Sequence, residues 1–203
     1  MAPSEIEYEN TFGKAVLSSF SFLKTYGFSL RQQYGWLFQA ESKCCIVTIQ
    51  MDRHQVFLDI RPVTIQDGQN EAVEPFDLGV IINCLYPEVD FKYTFDLKPQ
   101  ELHDETDRLS KLLLRYCEAT LRGDFSVWPR LEACIKERQR KAAFAALRKR
   151  EEDRVMHIKS EVVDAFHRKD YAKVIVMYEP IRHLLTPVET KRLEYAKKIA
   201  NHK

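Results

Sequence analysis

The chain has 203 residues, 45% of them hydrophobic and 30% charged, with 31 lysines and arginines against 30 aspartates and glutamates. A chain of this length and composition buries enough surface to fold without disulfides or a structural metal, which excludes disordered and small cross-linked classes. No apolar run approaches the roughly 18 residues of a membrane span, and a net charge of +1 names no partner by itself.

The opening residues, Met1-Ala2-Pro3-Ser4-Glu5-Ile6-Glu7, are acidic where a secretory leader would be basic, so no export signal is expected. Ser4 and Glu7 have the spacing of a capping box. Phe12, Val16, Phe20 and Leu23 then recur at helical spacing, and Gly27 stands where a left-handed residue closes a helix. The spacing predicts a first helix over 6–26.

A period of two follows. Phe28, Leu30 and Tyr34 alternate with polar residues, and Trp36, Phe38 and Ala40 do the same. Cys45, Val47, Ile49 and Met51 share one face of a third segment; Val56, Leu58 and Ile60 share one face of a fourth. Asp52-Arg53-His54-Gln55 joins the last two as a hairpin, and Pro62 is expected to end the last strand or mark an edge. The pattern is an antiparallel meander of three or four strands buried on one face. Residues 63–75 read as a loop, 76–85 as a short helix, and 86–100 as irregular and aromatic.

All six glycines lie at or before Gly123, so the last eighty residues read as helical. Leu109, Leu112, Leu113, Tyr116, Cys117 and Thr120 form one apolar stripe that ends at Arg122-Gly123-Asp124. Ser126 is placed to cap a helix with Pro129 in its first turn, running unbroken to about His157. Asp170 is placed to cap a helix holding Val174, Ile175 and Tyr178. Thr186-Pro187-Val188-Glu189 combines a capping box with proline at the first helical position, ahead of Leu193, Ala196 and Ile199. The last sixty residues are similar in kind to one tetratricopeptide unit, a helical hairpin plus one helix. The expected fold class is α+β: an N-terminal helix on a three- to four-stranded antiparallel meander over 1–100, then an all-helical region over 101–203, the two free to pack as one domain. Charge divides at the same place, with a net of −5 over 1–100 and +6 over 101–203.

Catalytic motifs are absent from the sequence: no nucleophile elbow, no glycine-rich phosphate loop, no dinucleotide fingerprint and no helical metal-binding histidine pair. His54, His103, His157, His167, His183 and His202 are scattered, and Asp52 with His54 reads as turn chemistry. The five cysteines, Cys44, Cys45, Cys84, Cys117 and Cys134, form no C-x-x-C pair and read as small hydrophobes in a reducing cytosol. Arg122-Gly123-Asp124 matches an adhesion tripeptide but reads as a helix stop. No cofactor or metal is expected.

Two features could carry binding. Tyr34, Trp36, Phe38 and Tyr93 belong to an aromatic group that could form an interface, in an acidic half suited to a basic partner. Residues 136–150 hold seven bases and one acid; Arg138, Arg140, Lys141 and Arg148 are the candidates for phosphate contacts, with Phe144 and four alanines between. No base-reading module accompanies them, so a solvated helix is the favoured reading.

The stretch Phe22-Leu23, Gly27-Phe28 and Phe38-Gln39-Ala40-Glu41-Ser42-Lys43, with the hairpin at Asp52-Arg53-His54-Gln55-Val56, resembles small bacterial proteins of unknown function. Tyr116-Cys117, Leu121-Arg122-Gly123-Asp124-Phe125, Asp170-Tyr171-Ala172-Lys173-Val174 and Leu193-Glu194-Tyr195-Ala196-Lys197-Lys198 are similar to the same group. Some proteins of this outline resemble immunity proteins of bacterial toxin systems, which act by binding a partner. The absent catalytic motifs and the acidic aromatic half, with this resemblance, point to a cytoplasmic bacterial protein-interaction protein without catalytic activity; the basic run over 136–150 gives nucleic-acid binding as the alternative.

Overall fold

The computed structural model describes residues 4–66, 69–72 and 74–200, the side chains at 64–66 and 69–72 excepted. The chain divides into two compact units, 1–136 and 137–203. The expected division after residue 100 thus lies inside the first unit, which also contains the next long helix.

Helix α1, Glu5–Ser19, starts where Ser4 Oγ accepts from the Glu7 N–H at 3.2 Å. Its α-helical part is shorter than 6–26. Ser21 Oγ donates to the Ser18 carbonyl at 2.8 Å, and Ser21–Tyr26 tightens into a 3-10 helix. Gly27 closes it at φ 81°, a conformation that favours glycine, while Phe28 N–H returns to the Leu23 carbonyl.

Strands β1 (Ser29–Tyr34), β2 (Leu37–Glu41), β3 (Cys45–Asp52) and β4 (Gln55–Gln66) run as an antiparallel meander. The β3–β4 register sets Val47 against Ile60 and Ile49 against Leu58, so the period-two apolar residues share one buried face. Phe12 of α1 meets Phe38 of β2 edge-on at 5.7 Å.

The loop expected over 63–75 is corrected in part. Strand β4 continues past Pro62 to Gln66 and pairs with β5, Gln69–Ala72; residues 67, 68 and 73 lie outside the described residues. Val63 N–H donates to Cys44 at 2.8 Å, so the neighbouring Pro62 directs its backbone to the other side. There β4 changes partner between β6 and β5, and the missing N–H leaves no ladder bond broken. Residues Phe76–Asp77 are strand β6, paired with β4, rather than the first turn of a helix.

Helix α2, Leu78–Leu85, begins with Asp77 Oδ1 accepting from Val80 N–H at 3.1 Å. Helix α3, Leu102–Leu121, buries Leu109, Leu113 and Cys117 and packs along α1, where Ser19 and Thr106 share a hydroxyl contact of 3.2 Å. Buried Glu105 is satisfied by a two-pronged ion pair with Arg108, at 2.8 and 2.7 Å, and by Thr94 at 3.1 Å.

Helix α4 spans Trp128–His167, ten residues beyond the expected end. Val127, not Ser126, stands at its cap position, where the Val127 carbonyl accepts from Leu131 N–H at 3.1 Å; Ser126 N–H donates to Asp124 Oδ1 at 2.9 Å. The cysteine expectation is also overturned at two positions, for Cys84 of α2 and Cys134 of α4 form a disulfide with a Cα separation of 6.0 Å. Irregular spacing concealed the pair, since 50 residues separate them.

In the second unit, α5 (Tyr171–Tyr178) and α6 (Pro187–Ala200) close on the C-terminal part of α4 around Val162, Ala165, Val174, Tyr178, Leu193 and Ala196. Asp170 caps α5 by accepting from Lys173 N–H at 3.1 Å. Thr186 and Glu189 form the expected reciprocal box at 3.4 and 2.7 Å.

Candidate interaction surfaces

The four aromatics proposed from the sequence do not assemble into one platform. Phe38 is buried on the core face against Phe12, and so is unavailable to a partner. Tyr93 lies over the opposite face, 5.4 Å from Phe57 and 4.9 Å from Phe91, with its hydroxyl donating to Asp77 at 2.5 Å. Tyr34 is 68% exposed at the outer strand. Trp36 is half-buried and lines a cleft of about 240 Å³ at the hairpin tip.

That cleft is a site the sequence did not disclose. Tyr8, Trp36 and His54 supply rings, and Glu5, Asp52 and Arg53 supply charge. His54 stacks on Tyr8 at 4.3 Å and 8°. The turn takes φ 47° at Arg53 and φ 59° at His54, where Asn-Gly is the favoured pair. Its geometry is held by the Tyr8 stack and by Leu97 N–H on the His54 carbonyl at 2.9 Å. The histidine thus has a packing role that spacing within the turn could not reveal.

A carboxylate pair lies where β4 meets β6. Register places Asp59 opposite Asp77. Burial, then the neighbouring Asp77 charge, pushes the Asp59 carboxyl up to about 6. Asp77 is engaged by Tyr93 and by the α2 amide. Burial and the same Asp77 push the Tyr93 phenol well above its ordinary range. Alternation marked Asp59 as facing away from the core, but only tertiary pairing brings the second carboxylate.

Two of the three remaining cysteines, Cys45 and Cys117, are buried. Burial, and for Cys45 the adjacent Cys44, pushes Cys45 and Cys117 up to about 12, leaving them protonated near neutrality. Among the described residues, no group of three or more histidine, cysteine or carboxylate side chains is arranged to hold a metal ion. No described helix is long and apolar enough to cross a membrane.

The middle of α4 is an open surface. Every residue from 138 to 154 is exposed. The candidates Arg138, Arg140, Lys141 and Arg148 all belong to this stretch. Arg140 and Lys141 share Glu137, at 3.0 and 3.5 Å, and Arg148 pairs with Glu152 at 2.9 Å. Phe144 and Leu147 are 71% and 62% exposed among them. These are solvated intrahelical pairs, each worth only a few tenths of a kcal/mol, roughly.

No family model, no curated protein and no solved structure matches the chain.

Proposed function

We infer that this chain is a binding protein that works through a protein interface, with the solvated middle of α4 as its contact element. The observation that carries the reading is the exposure of the whole 138–154 stretch together with two large apolar side chains. A helical segment of this length without burial has only propensity and local ion pairs to hold it, so it is marginal alone and gains from being covered. The narrower form of the reading is a cytoplasmic bacterial protein of immunity type, neutralising a partner by occupancy and not by catalysis. The arrangement of α4, α5 and α6 supports a likeness to a single tetratricopeptide-type hairpin, a scaffold suited to presenting a helix face.

The test is photo-cross-linking in cells with a benzophenone side chain at position 147. Protein adducts that vanish when Phe144 is also changed to glutamate support the reading; none above the level of a probe at buried position 193 refutes it. Thiol trapping of Cys84 and Cys134 in intact cells tests the compartment, since a bridge persists where the surroundings are oxidising.

A second reading is favoured by the same stretch's charge. Seven bases over 136–150 could track phosphates, with Arg138, Arg140, Lys141 and Arg148 as contacts. Six contacts would give a log–log salt slope of about −5 on duplex DNA and a roughly thousandfold loss between 50 and 200 mM salt. Fluorescence anisotropy at those two salt levels separates the readings. Micromolar binding that is lost when these four residues become glutamine would favour the nucleic-acid role.

A further inference from the structure

The buried face of the sheet runs on past the residues that α1 covers. Met51 N–H donates to the Trp36 carbonyl at 2.9 Å, so Trp36 and Met51 continue the β2–β3 ladder on the face of Phe38 and Ile49. Phe38 and Ile49 are fully buried, whereas Trp36 is only half-buried where it lines the cleft. Glu5 and Tyr8, three apart and so on one side of α1, also line it. Glu9 reaches to Gly35, where an added Cβ would stand 2.9 Å from its Oε1, so a third acid borders the same place. Tyr8 is 7% exposed, and among the described residues its hydroxyl has no hydrogen-bond partner.

Size and chemistry together select a ligand class. The cleft's volume of about 240 Å³ is below the roughly 300–1,000 Å³ of pockets that enclose a drug-sized molecule, so it admits one small group and not a nucleotide. Trp36 is the ring type that attracts a cation most strongly, and the Tyr8–His54 stack adds two more rings. The carboxylates of Glu5 and Asp52 stand beside them. Rings and acids attract one kind of group in common, a positive charge wrapped in carbon. A bare metal ion lacks ligands here, for among the described residues no three metal-binding side chains converge. Arg53 is the one lysine or arginine among the described lining residues, and it opposes a cation against two acids. The positive end of α1 is capped by Ser4 and offset by Glu5 and Glu7.

We propose that the cleft between the first turns of α1 and the β3–β4 hairpin tip binds an organic ammonium group. Trp36, Tyr8 and His54 take its carbon shell, and Glu5 and Asp52 take its charge. Where the ammonium carries an N–H, the unpartnered Tyr8 hydroxyl accepts from it. The group comes either from a free small amine or from a lysine side chain of another protein, and the net charge of −5 over 1–100 favours both. The site lies wholly within the first unit and is independent of the reading of α4.

The chain has two tryptophans, so nitrogen-15 spectra of the unmodified protein give two indole N–H signals, with Trp128 as the internal control and Trp36→Phe as the assignment. The probes are choline, N-acetyl-lysine amide and 3,3-dimethylbutanol, the last a neutral isostere of choline. The expected result is a saturable shift of Trp36 alone, with a Kd of about 0.1–1 mM for a ligand of so few atoms, and no saturation by the neutral alcohol. Tighter binding of choline assigns the source as a free amine; tighter binding of the lysine amide assigns it as a partner's side chain. Glu5→Gln with Asp52→Asn should weaken binding roughly three- to tenfold, and Arg53→Gln should tighten it by up to about fivefold. All three side chains are exposed, so circular dichroism should be unchanged. No saturable Trp36 shift with either cation up to about 10 mM overturns the proposal. So does an equal response to the neutral alcohol, or an affinity indifferent to all three substitutions.

Discussion

Asp59 faces away from the sheet core beside Asp77 and carries its carboxyl at about 6, above the ordinary 3.8. A folded value above the unfolded one means that the native state holds the proton more tightly. The stabilisation is present below about pH 4 and is lost as pH rises through 6. At neutral pH the ionised pair therefore works against folding. The shift alone corresponds to about 3 kcal/mol, and solvent screening of a partly exposed group reduces this to about 1–2 kcal/mol. Asp59→Asn should accordingly raise the denaturation midpoint at pH 7.5, with the gain gone by pH 4. Urea unfolding at both pH values checks the sign, and an equal gain at both would remove the carboxylate pair as its cause. One residue before, Leu58 is buried on the core face, and Leu58→Asp should unfold the first unit by burying an unpaired charge. Phe57→Asp should cost less, though not nothing, because Tyr93 half covers that ring. Equal losses from the two substitutions would contradict the register.

At the level of elements, the parts written in local chemistry were legible. Ser4, Asp170 and the Thr186–Glu189 box begin helices because each places an acceptor three residues ahead of an unpaired amide. The alternation from Cys45 to Ile60 fixed both strands and their buried face. Where the reading failed, a distant partner decides. β6 is a strand because β4 offers an edge at Asp59 and Ile60, and β4 outlasts its proline because it changes neighbour there. For α6, Thr186→Ala should lower the stability of the second unit by about 1 kcal/mol, read from chemical denaturation. Glu189 also takes Lys159 at 2.8 Å. Burial raises its carboxyl, but hydrogen bonds from Lys159 and Thr186 outweigh that and hold it below its ordinary value. Because Thr186 and Lys159 share Glu189, the Thr186→Ala loss and the loss from removing Lys159 should couple and not simply add, which a double-mutant cycle reads.

For the whole molecule, the Cys84–Cys134 bridge spans 50 residues of the first unit. Closing such a loop restricts the unfolded chain and stabilises by up to about 4 kcal/mol in the chain-entropy account. Reduction should lower the melting temperature of the first unit while leaving exchange of the α5 and α6 amides unchanged; a matching loss in α5 and α6 would place the effect elsewhere. The candidate site was only half legible for the same reason as the bridge. Composition located the basic stretch over 136–150, but the exposure of Phe144 and Leu147 depends on what the rest of the chain leaves uncovered. The aromatic group, read from side-chain type alone, divides between core and cleft once Phe38 meets Phe12. The central claim is that the middle of α4 is solvated in the chain and open to a partner. Hydrogen–deuterium exchange tests it most directly. The account predicts that 138–154 exchanges far faster than α3, because an unburied helical segment opens readily. Protection of 138–154 equal to that of α3 would contradict it.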